Sequence, residues 1–198
     1  MIFHVPYEMP SSKTLKPLLV LVSGAPGSGK STFASKLASH MSLLHIERDQ
    51  FFHSIAYTYH TKNIDRENVG VPRFYQAIEN LLSAEVSLVV DGTLYKGKSE
   101  LELLKLQDFA MVINIHCRAI NVDERFYARE IRRAKGVPDW LDGHMLHLAK
   151  IRPLVEDPLE IGWKVIEVDT TADYSPSIPE VVNTINELHY TKTYVQDQ

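Results

Sequence analysis

The stretch "GAPGSGKS", Gly24–Ser31, matches the phosphate-binding pattern G-x-x-x-x-G-K-[ST] at every position. An apolar run, "LLVLVS" at Leu18–Ser23, comes directly before it. After it, Phe33, Leu37 and Met41 recur every four residues, which is the spacing of one helix face. The sequence therefore predicts a buried strand, a glycine-rich loop and an amphipathic helix, in that order.

This loop has the residues that a nucleotide phosphate needs. Glycine lets the backbone curl so that successive N–H groups point at one anion, and the N-terminus of the following helix adds positive charge. Lys30 then reaches the β- and γ-phosphates, and the Ser31 hydroxyl is an oxygen ligand suited to Mg²⁺. We therefore expect ATP and Mg²⁺ as cofactors; the alternative is a glycine-rich turn without a ligand. The predicted ATP-binding residues are Gly24, Ala25, Pro26, Gly27, Ser28, Gly29, Lys30, Ser31 and Thr32.

Length and composition favour one domain. The 198 residues are 44% hydrophobic, enough for a single α/β domain with its own core, and we predict an extended arm over 1–16 followed by that domain over 17–198. The net charge of −4 gives no general attraction to nucleic acid or anionic membranes. A single cysteine, Cys117, excludes an intramolecular disulfide, and no run reaches the ~18 apolar residues of a membrane span, so we expect a cytoplasmic location.

Apolar runs alternate with helical patterns along the chain, which predicts parallel strands joined by helices. The predicted strands are Leu18–Ser23, Leu43–Glu47, Val86–Asp91, Met111–Cys117 and Trp163–Val168. The predicted helices follow the loop at "KSTFASKLASHM" and then occupy Val71–Ser83, Gly97–Gln107, Val122–Ala134, Trp140–Lys150 and Ile178–His189. "SLVVD" and "MVINIHC" are almost continuously apolar and are predicted to be central, whereas "LLHIE" and "WKVIEV" contain polar residues and are predicted at the edges.

Three aspartates follow or end predicted strands, where ligands of open parallel sheets bind. Asp91 ends "SLVVD" and occupies the position of a Walker B carboxylate that supports Mg²⁺; the alternative is a turn or helix-capping residue. Asp49 is the candidate general base, because a carboxylate opposite the γ-phosphate can accept a hydroxyl proton; the alternative is a cap of the following helix. Asp169, in "DTT", is expected to shape a loop at the nucleoside end.

An arginine-rich helix is the candidate for charge stabilisation. Its arginines fall within an arc of roughly 100°; they are Arg125, Arg129, Arg132 and Arg133. Arginine near a transferring phosphoryl group complements the lysine and Mg²⁺, and we predict a lid over residues 125–150 with hinges at Gly136 and Pro138. The alternative is a solvated basic face interleaved with glutamates.

Together, the phosphate loop, "ERDQF", "VVDGT" and the arginine helix resemble the P-loop kinases of the adenylate-kinase-like group, in particular the kinase domain of phage polynucleotide kinase and related AAA-type ATP-binding proteins. The resemblance covers about residues 18–151. It implies a P-loop NTPase fold of the α/β class, a three-layer sandwich with a five-stranded parallel sheet in the order 2-3-1-4-5 and a helical lid. It also implies Asp49 as base and Arg129 and Arg133 as lid arginines before the "VP" pair at Val137-Pro138.

One residue departs from the family pattern. Polynucleotide kinases have an acceptor-binding arginine three residues after the base, where this chain has Phe52. The resemblance therefore implies the phosphoryl-transfer chemistry more strongly than a nucleic-acid acceptor. We expect an ATP- and Mg²⁺-dependent phosphotransferase that acts on a hydroxyl group, with Lys30, Asp49, Arg129 and Arg133 as catalytic residues and Ser31 and Asp91 as metal ligands.

Two other classes of protein remain open from the sequence, an NTPase switch and a nucleotide-binding regulatory module without turnover. Within the kinase class, the acceptor also stays open. A small metabolite, an antibiotic, a nucleotide-sugar and a polynucleotide 5′-hydroxyl are the alternatives.

Overall fold

A computed structural model of the chain describes residues 16–61, 64–134 and 138–195. Its centre is a parallel sheet of five strands in the order β2-β3-β1-β4-β5, which confirms the predicted order. The strands are β1 Leu18–Ser23, β2 Leu44–Glu47, β3 Leu88–Asp91, β4 Met111–Arg118 and β5 Val165–Asp169. The helices are α1 Lys30–Met41, α2 Arg48–Thr58, α3 Val71–Ser83, α4 Glu100–Leu106, α5 Val122–Ala134, α6 Pro138–Val155 and α7 Ile178–Val195.

Helices cover both faces of the sheet. Side chains of β1 alternate between the two faces, so that Val20 and Val22 pack with α1 and α7 while Leu19 and Leu21 pack with α3 and α4. Both sets are buried, and β1 is fully covered along its length. The predicted three-layer sandwich is therefore confirmed.

The central and edge positions of the strands also match the prediction. Strands β3 and β4 flank β1, and β2 and β5 form the two edges. Two strands begin later than predicted for the same reason. The Leu43 and Val86 N–H groups each donate to a carbonyl of the preceding helix, Ala38 and Leu81, so these residues belong to the turn that ends the helix.

The long connection from β2 to β3 contains more helix than the sequence predicted. Helix α2 begins directly at the end of β2, and a π-helical turn, Arg66–Gly70, comes before α3. Only Phe52 and Ala56 of α2 are buried. Because so few positions face the core, the apolar periodicity of this segment was too weak to predict a full helix.

Helices α5 and α6 pack on each other beside the sheet through Phe126, Leu148, Ile151 and Val155. The predicted hinge at Gly136 and the residue Val137 lie outside the described residues, as does the arm apart from Lys16. The division into an arm over 1–16 and one domain over 17–198, with a lid over 125–150, stays a prediction. Among the described residues, no helix is long and apolar enough to cross a membrane.

Candidate active site

The phosphate loop, residues Gly24–Ser31, joins the carboxyl end of β1 to the N-terminus of α1. Gly27 and Gly29 have φ values of 95° and 79°, which residues other than glycine rarely adopt. The loop also approaches β4, because a Cβ on Gly24 would lie 2.4 Å from the Cys117 carbonyl oxygen. The Ser28 hydroxyl is buried and has no hydrogen-bond partner in the part of the chain that the structure describes. A curled backbone with a buried, unpaired hydroxyl fits a phosphate ligand.

Lys30 opens α1 and is only 8% exposed. Burial lowers the pKa of its ammonium group, while the nearby carboxylates of Asp91 and Asp49 act in the opposite direction. Among the described residues, no carboxylate forms an ion pair with Lys30. A buried cation without a direct counter-ion is electrostatically suited to a phosphate anion.

Ser31 and Asp91 meet at the end of the loop. The Ser31 hydroxyl donates to Asp91 Oδ2 at 2.6 Å, and the Asp91 carboxylate is 1% exposed. His45 Nε2 lies 2.7 Å from Asp91 Oδ1. The next N–H group, that of Gly92, donates to the Val22 carbonyl. Asp91 is therefore held against the phosphate loop, as a Walker B carboxylate requires, and it caps no helix.

This pair of oxygen ligands fits Mg²⁺. No group of three or more His, Cys, Asp and Glu side chains that could hold a metal is present in residues 16–61, 64–134 and 138–195. Mg²⁺ is usually bound by one or two protein oxygens together with substrate phosphates. The Ser31 hydroxyl and the Asp91 carboxylate, next to the phosphate loop, are ligands of that type.

Asp49 lies in the first turn of α2 and is exposed. Glu47 is the N-cap of this helix, so the predicted alternative, that Asp49 is the cap, is not what the structure shows. The Asp49 side chain makes no hydrogen bond or ion pair with the described residues, yet its charge acts on Lys30. The structure thus brings near the phosphate-loop lysine a carboxylate that pairs with none of the described residues.

Two of the arginines of α5 are partly buried, Arg125 and Arg129, and two are exposed, Arg132 and Arg133. Arg125 donates to the Thr170 carbonyl at 3.0 Å. Arg129 stacks 5.1 Å from the centre of the Phe126 ring, and its charge contributes to lowering the pKa of Lys30, which places it near the phosphate loop. Arg133 is 60% exposed at its side chain, and Arg132 is exposed.

The sequence did not predict the role of Glu130, a carboxylate that is only 2% exposed. Its Oε1 accepts from Arg129 Nε at 2.9 Å and from Arg133 Nη1 at 3.4 Å. In the sequence this glutamate belongs to an alternation of charges that is typical of solvated helices. Its burial depends on α5 packing against the rest of the fold, and no local pattern reveals that.

The loop after β5 closes one side of the phosphate loop. Asp169 Oδ1 accepts from the Thr171 N–H at 2.7 Å, as expected of a residue that shapes this loop. The Thr170 hydroxyl contacts the carbonyl oxygens of Ser28 and Arg118. Thr170 is therefore a contact between the end of the sheet and the phosphate loop that the sequence did not predict.

Comparison with known proteins places the chain among nucleotide-binding folds. A family model described as an AAA domain matches residues 19–138. The curated cytidylate kinase of Halobacterium salinarum is 54% identical over 39 residues, so the match spans 20% of this chain and 20% of that relative. Solved structures share the fold, among them the following two. A protein from Chloroflexus aurantiacus has a TM-score of 0.66 at 21% identity and covers 87% of this chain and 98% of its own. A gluconokinase from Sinorhizobium meliloti 1021 has a TM-score of 0.58 at 20% identity, with 93% and 100% covered.

Proposed function

Since the chain belongs to the AAA-domain family, we propose that it is a P-loop kinase, which uses ATP and Mg²⁺ to transfer the γ-phosphoryl group to a hydroxyl acceptor. The observation that carries this proposal is the position of Asp49. This carboxylate is unpaired among the described residues and acts electrostatically on buried Lys30, next to the paired Ser31 and Asp91. A carboxylate in this position can receive the proton of an acceptor hydroxyl, which is the role that a kinase requires of its base.

The phosphate loop binds the triphosphate. Its backbone N–H groups and the buried Ser28 hydroxyl supply donors, and Lys30 supplies the positive charge. Bound Mg²⁺ would neutralise charge on the β- and γ-phosphates. Ser31 and Asp91 would hold that ion through their oxygens.

Asp49 acts on the acceptor. The acceptor hydroxyl oxygen forms a bond to the γ-phosphorus while the bond from that phosphorus to the β-phosphate oxygen breaks, and the hydroxyl proton passes to the Asp49 carboxylate. Because Asp49 is exposed, it can return this proton to solvent after the product leaves.

Arg129 and Arg133 balance the charge that develops during transfer. Buried Glu130 accepts from both guanidinium groups, so it restrains Arg129 and the more exposed Arg133 before the reaction. Phosphoryl transfer depends mainly on such positioning and electrostatic stabilisation.

The test compares three variants for ATP binding and for transfer of labelled γ-phosphate. In Asp49→Asn we expect kcat to fall about 10²- to 10⁴-fold with an unchanged Kd for ATP, because the base is lost and the phosphate loop is intact. Lys30→Ala should lose ATP binding as well. Asp108→Asn is the matched control, since Asp108 is also exposed but lies before β4, at the other end of the sheet. Full transfer activity in Asp49→Asn would contradict the assignment of the base.

A further inference from the structure

Arg48, the residue before the candidate base, has an unusual environment. Its guanidinium carbon lies 5.3 Å from the centre of the Phe52 ring and 5.9 Å from that of Tyr95. One terminal nitrogen donates to the Thr93 carbonyl, but Nε is buried and has no hydrogen-bond partner among the described residues. No carboxylate among the described residues pairs with this arginine. A buried N–H donor without a protein partner is rare, and a water molecule or a ligand atom would satisfy it.

Arg66 is the second cation of this region. It opens the π-helical turn, is exposed, and stacks 5.5 Å from the centre of the Phe52 ring. The turn is pressed against Phe52 at Gly70, where an added Cβ would lie 3.2 Å from that ring. Arg66 therefore reaches the same aromatic side chain as Arg48, although the two are far apart in the sequence.

The carboxylates of Asp65 and Glu67, the sequence neighbours of Arg66, interact with residues other than Arg66. Both carboxylate oxygens of Asp65 accept from Asn68, at 3.0 and 2.8 Å. Glu67 lies 3.9 Å from Lys98. In the part of the chain that the structure describes, Arg66 makes no ion pair. Both arginines thus contact the Phe52 ring, and neither has a counter-ion among the described residues.

Tyr95 connects these arginines to Asp49. Burial raises the pKa of its hydroxyl, and the charges of Arg48, Asp49 and Arg66 all act on it. The Arg48 guanidinium lies 5.9 Å from the centre of the Tyr95 ring, and Asp49 is the next residue in the chain, so the candidate base lies beside this arginine and tyrosine.

We propose that the phosphoryl acceptor is a small molecule that carries an anionic group, a carboxylate or a phosphate, and that Arg66 and Arg48 bind this group while the acceptor hydroxyl lies at Asp49. This inference rests on the proposed kinase function. Arginine binds carboxylate and phosphate by the same charge-assisted hydrogen bonds. A small acceptor is favoured over a polynucleotide because two cations suffice for one anion, whereas a phosphate backbone is bound by clustered Lys and Arg.

The test measures kcat/KM for matched acceptors with ATP and Mg²⁺. Gluconate and glycerate represent the carboxylates, glycerol 3-phosphate represents the phosphates, and sorbitol and glycerol are the neutral counterparts; a 5′-hydroxyl oligonucleotide completes the panel. We expect at least one small anionic acceptor to be used at least about tenfold better than its neutral counterpart, since a charge-assisted hydrogen bond is lost with the anion. The carboxylate and phosphate arms show which anion it is.

Variants of Arg66 then locate the anion. Arg66→Ala should lower the preference for the anionic acceptor over the neutral one about 10- to 100-fold through KM, and Arg66→Lys should keep part of it. The KM for ATP should not change. Arg73→Ala is the matched control, because Arg73 is also an exposed arginine stacked on a tyrosine, Tyr59 at 5.1 Å.

The outcomes separate the two proposals. Equal use of anionic and neutral acceptors, or an unchanged preference in Arg66→Ala, would overturn the inference and leave the kinase function in place. Preferred transfer to the oligonucleotide would also overturn it. ATP hydrolysis with no transfer to any acceptor would contradict both the kinase function and the inference that rests on it.

Discussion

At Gly27 the phosphate loop lies against the start of α5, so that position tests the geometry of the site. Its φ is 95°, and a Cβ built there would lie 2.5 Å from the Val122 carbonyl oxygen and 3.2 Å from the Phe126 Cβ. The Val122 carbonyl belongs to the backbone, so it cannot move out of the way of the added Cβ as a flexible side chain can. Gly27→Ala therefore forces the loop and the start of α5 apart.

The expected loss of stability has three parts. Left-handed backbone costs a non-glycine residue about 1–2 kcal/mol. Overpacking adds about 1–3 kcal/mol of destabilisation. Alanine also lowers the conformational entropy of the unfolded chain, which stabilises the folded protein by about 0.4–1 kcal/mol. The net destabilisation is about 3 kcal/mol, which corresponds to a fall in Tm of about 6–12 °C for a chain of this length. ATP affinity should fall as well, because the displaced loop no longer directs its N–H groups at one anion.

Two other glycines serve as controls. Gly97 also has a positive φ, 75°, but an added Cβ meets no atom of the described residues within 4 Å, so Gly97→Ala should lower Tm by only about 2–3 °C. Gly143 lies inside α6 with open space around it, and Gly143→Ala should raise stability by about 0.5–1 kcal/mol. Thermal unfolding followed by circular dichroism ranks the three variants. Equal Tm values for Gly27→Ala and Gly97→Ala would refute the close approach of the loop to α5.

His116 is buried. The Glu156 carbonyl can only accept, so the neutral His116 ring donates from Nε2 to this carbonyl, 2.9 Å away. The other ring nitrogen, Nδ1, then accepts from the Ser23 hydroxyl at 3.0 Å. Burial lowers the pKa of His116, so between the unfolded value of 6.5 and the lower folded value the unfolded chain takes up a proton that the folded chain does not. His116 therefore lowers the free energy of unfolding as the pH falls below 6.5. In urea unfolding at pH 7.5 and 5.5, the free energy of unfolding should depend less on pH in His116→Gln than in the wild type. An equal pH dependence in the two proteins would contradict the role of His116. Glu130→Gln keeps the shape of the buried side chain but loses its charge, so Arg129 is held less firmly. We expect kcat to fall about tenfold, because about 1–2 kcal/mol of charge-assisted hydrogen bonding is lost. The Kd for ATP should change little. Glu124→Gln, an exposed glutamate of the same helix, is the control, and equal kcat values in the two variants would argue against the role of Glu130.

The sequence was most informative where a function needs a local pattern. The phosphate loop is contiguous, and it predicted a strand and a helix on either side of it. Continuous apolar runs distinguished β3 and β4 from the edge strands because both faces of a central strand are covered. The meeting of Ser31 with Asp91 also followed, since parallel strands bring their carboxyl ends to one edge.

Features that depend on contacts between distant segments were not predicted. His45 reaches Asp91 because β2 and β3 are neighbours in the sheet, although a long connection separates them in the chain. Arg48 and Arg66 meet at Phe52 only after α2 and the π-helical turn have packed together. Such contacts join residues of ordinary sequence pattern, so they appear only in the folded structure.

The central claim is that the γ-phosphoryl group passes to an acceptor and not to water. The most direct measurement follows γ-labelled ATP with Mg²⁺ and the wild-type protein, and it separates labelled acceptor from free phosphate across hydroxy acids, sugar phosphates, neutral polyols, nucleosides, nucleotide-sugars, aminoglycosides and 5′-hydroxyl oligonucleotides. We expect the label in one acceptor class, with its appearance abolished in Lys30→Ala. Label recovered only as free phosphate, or ATP bound with no turnover, would contradict the claim.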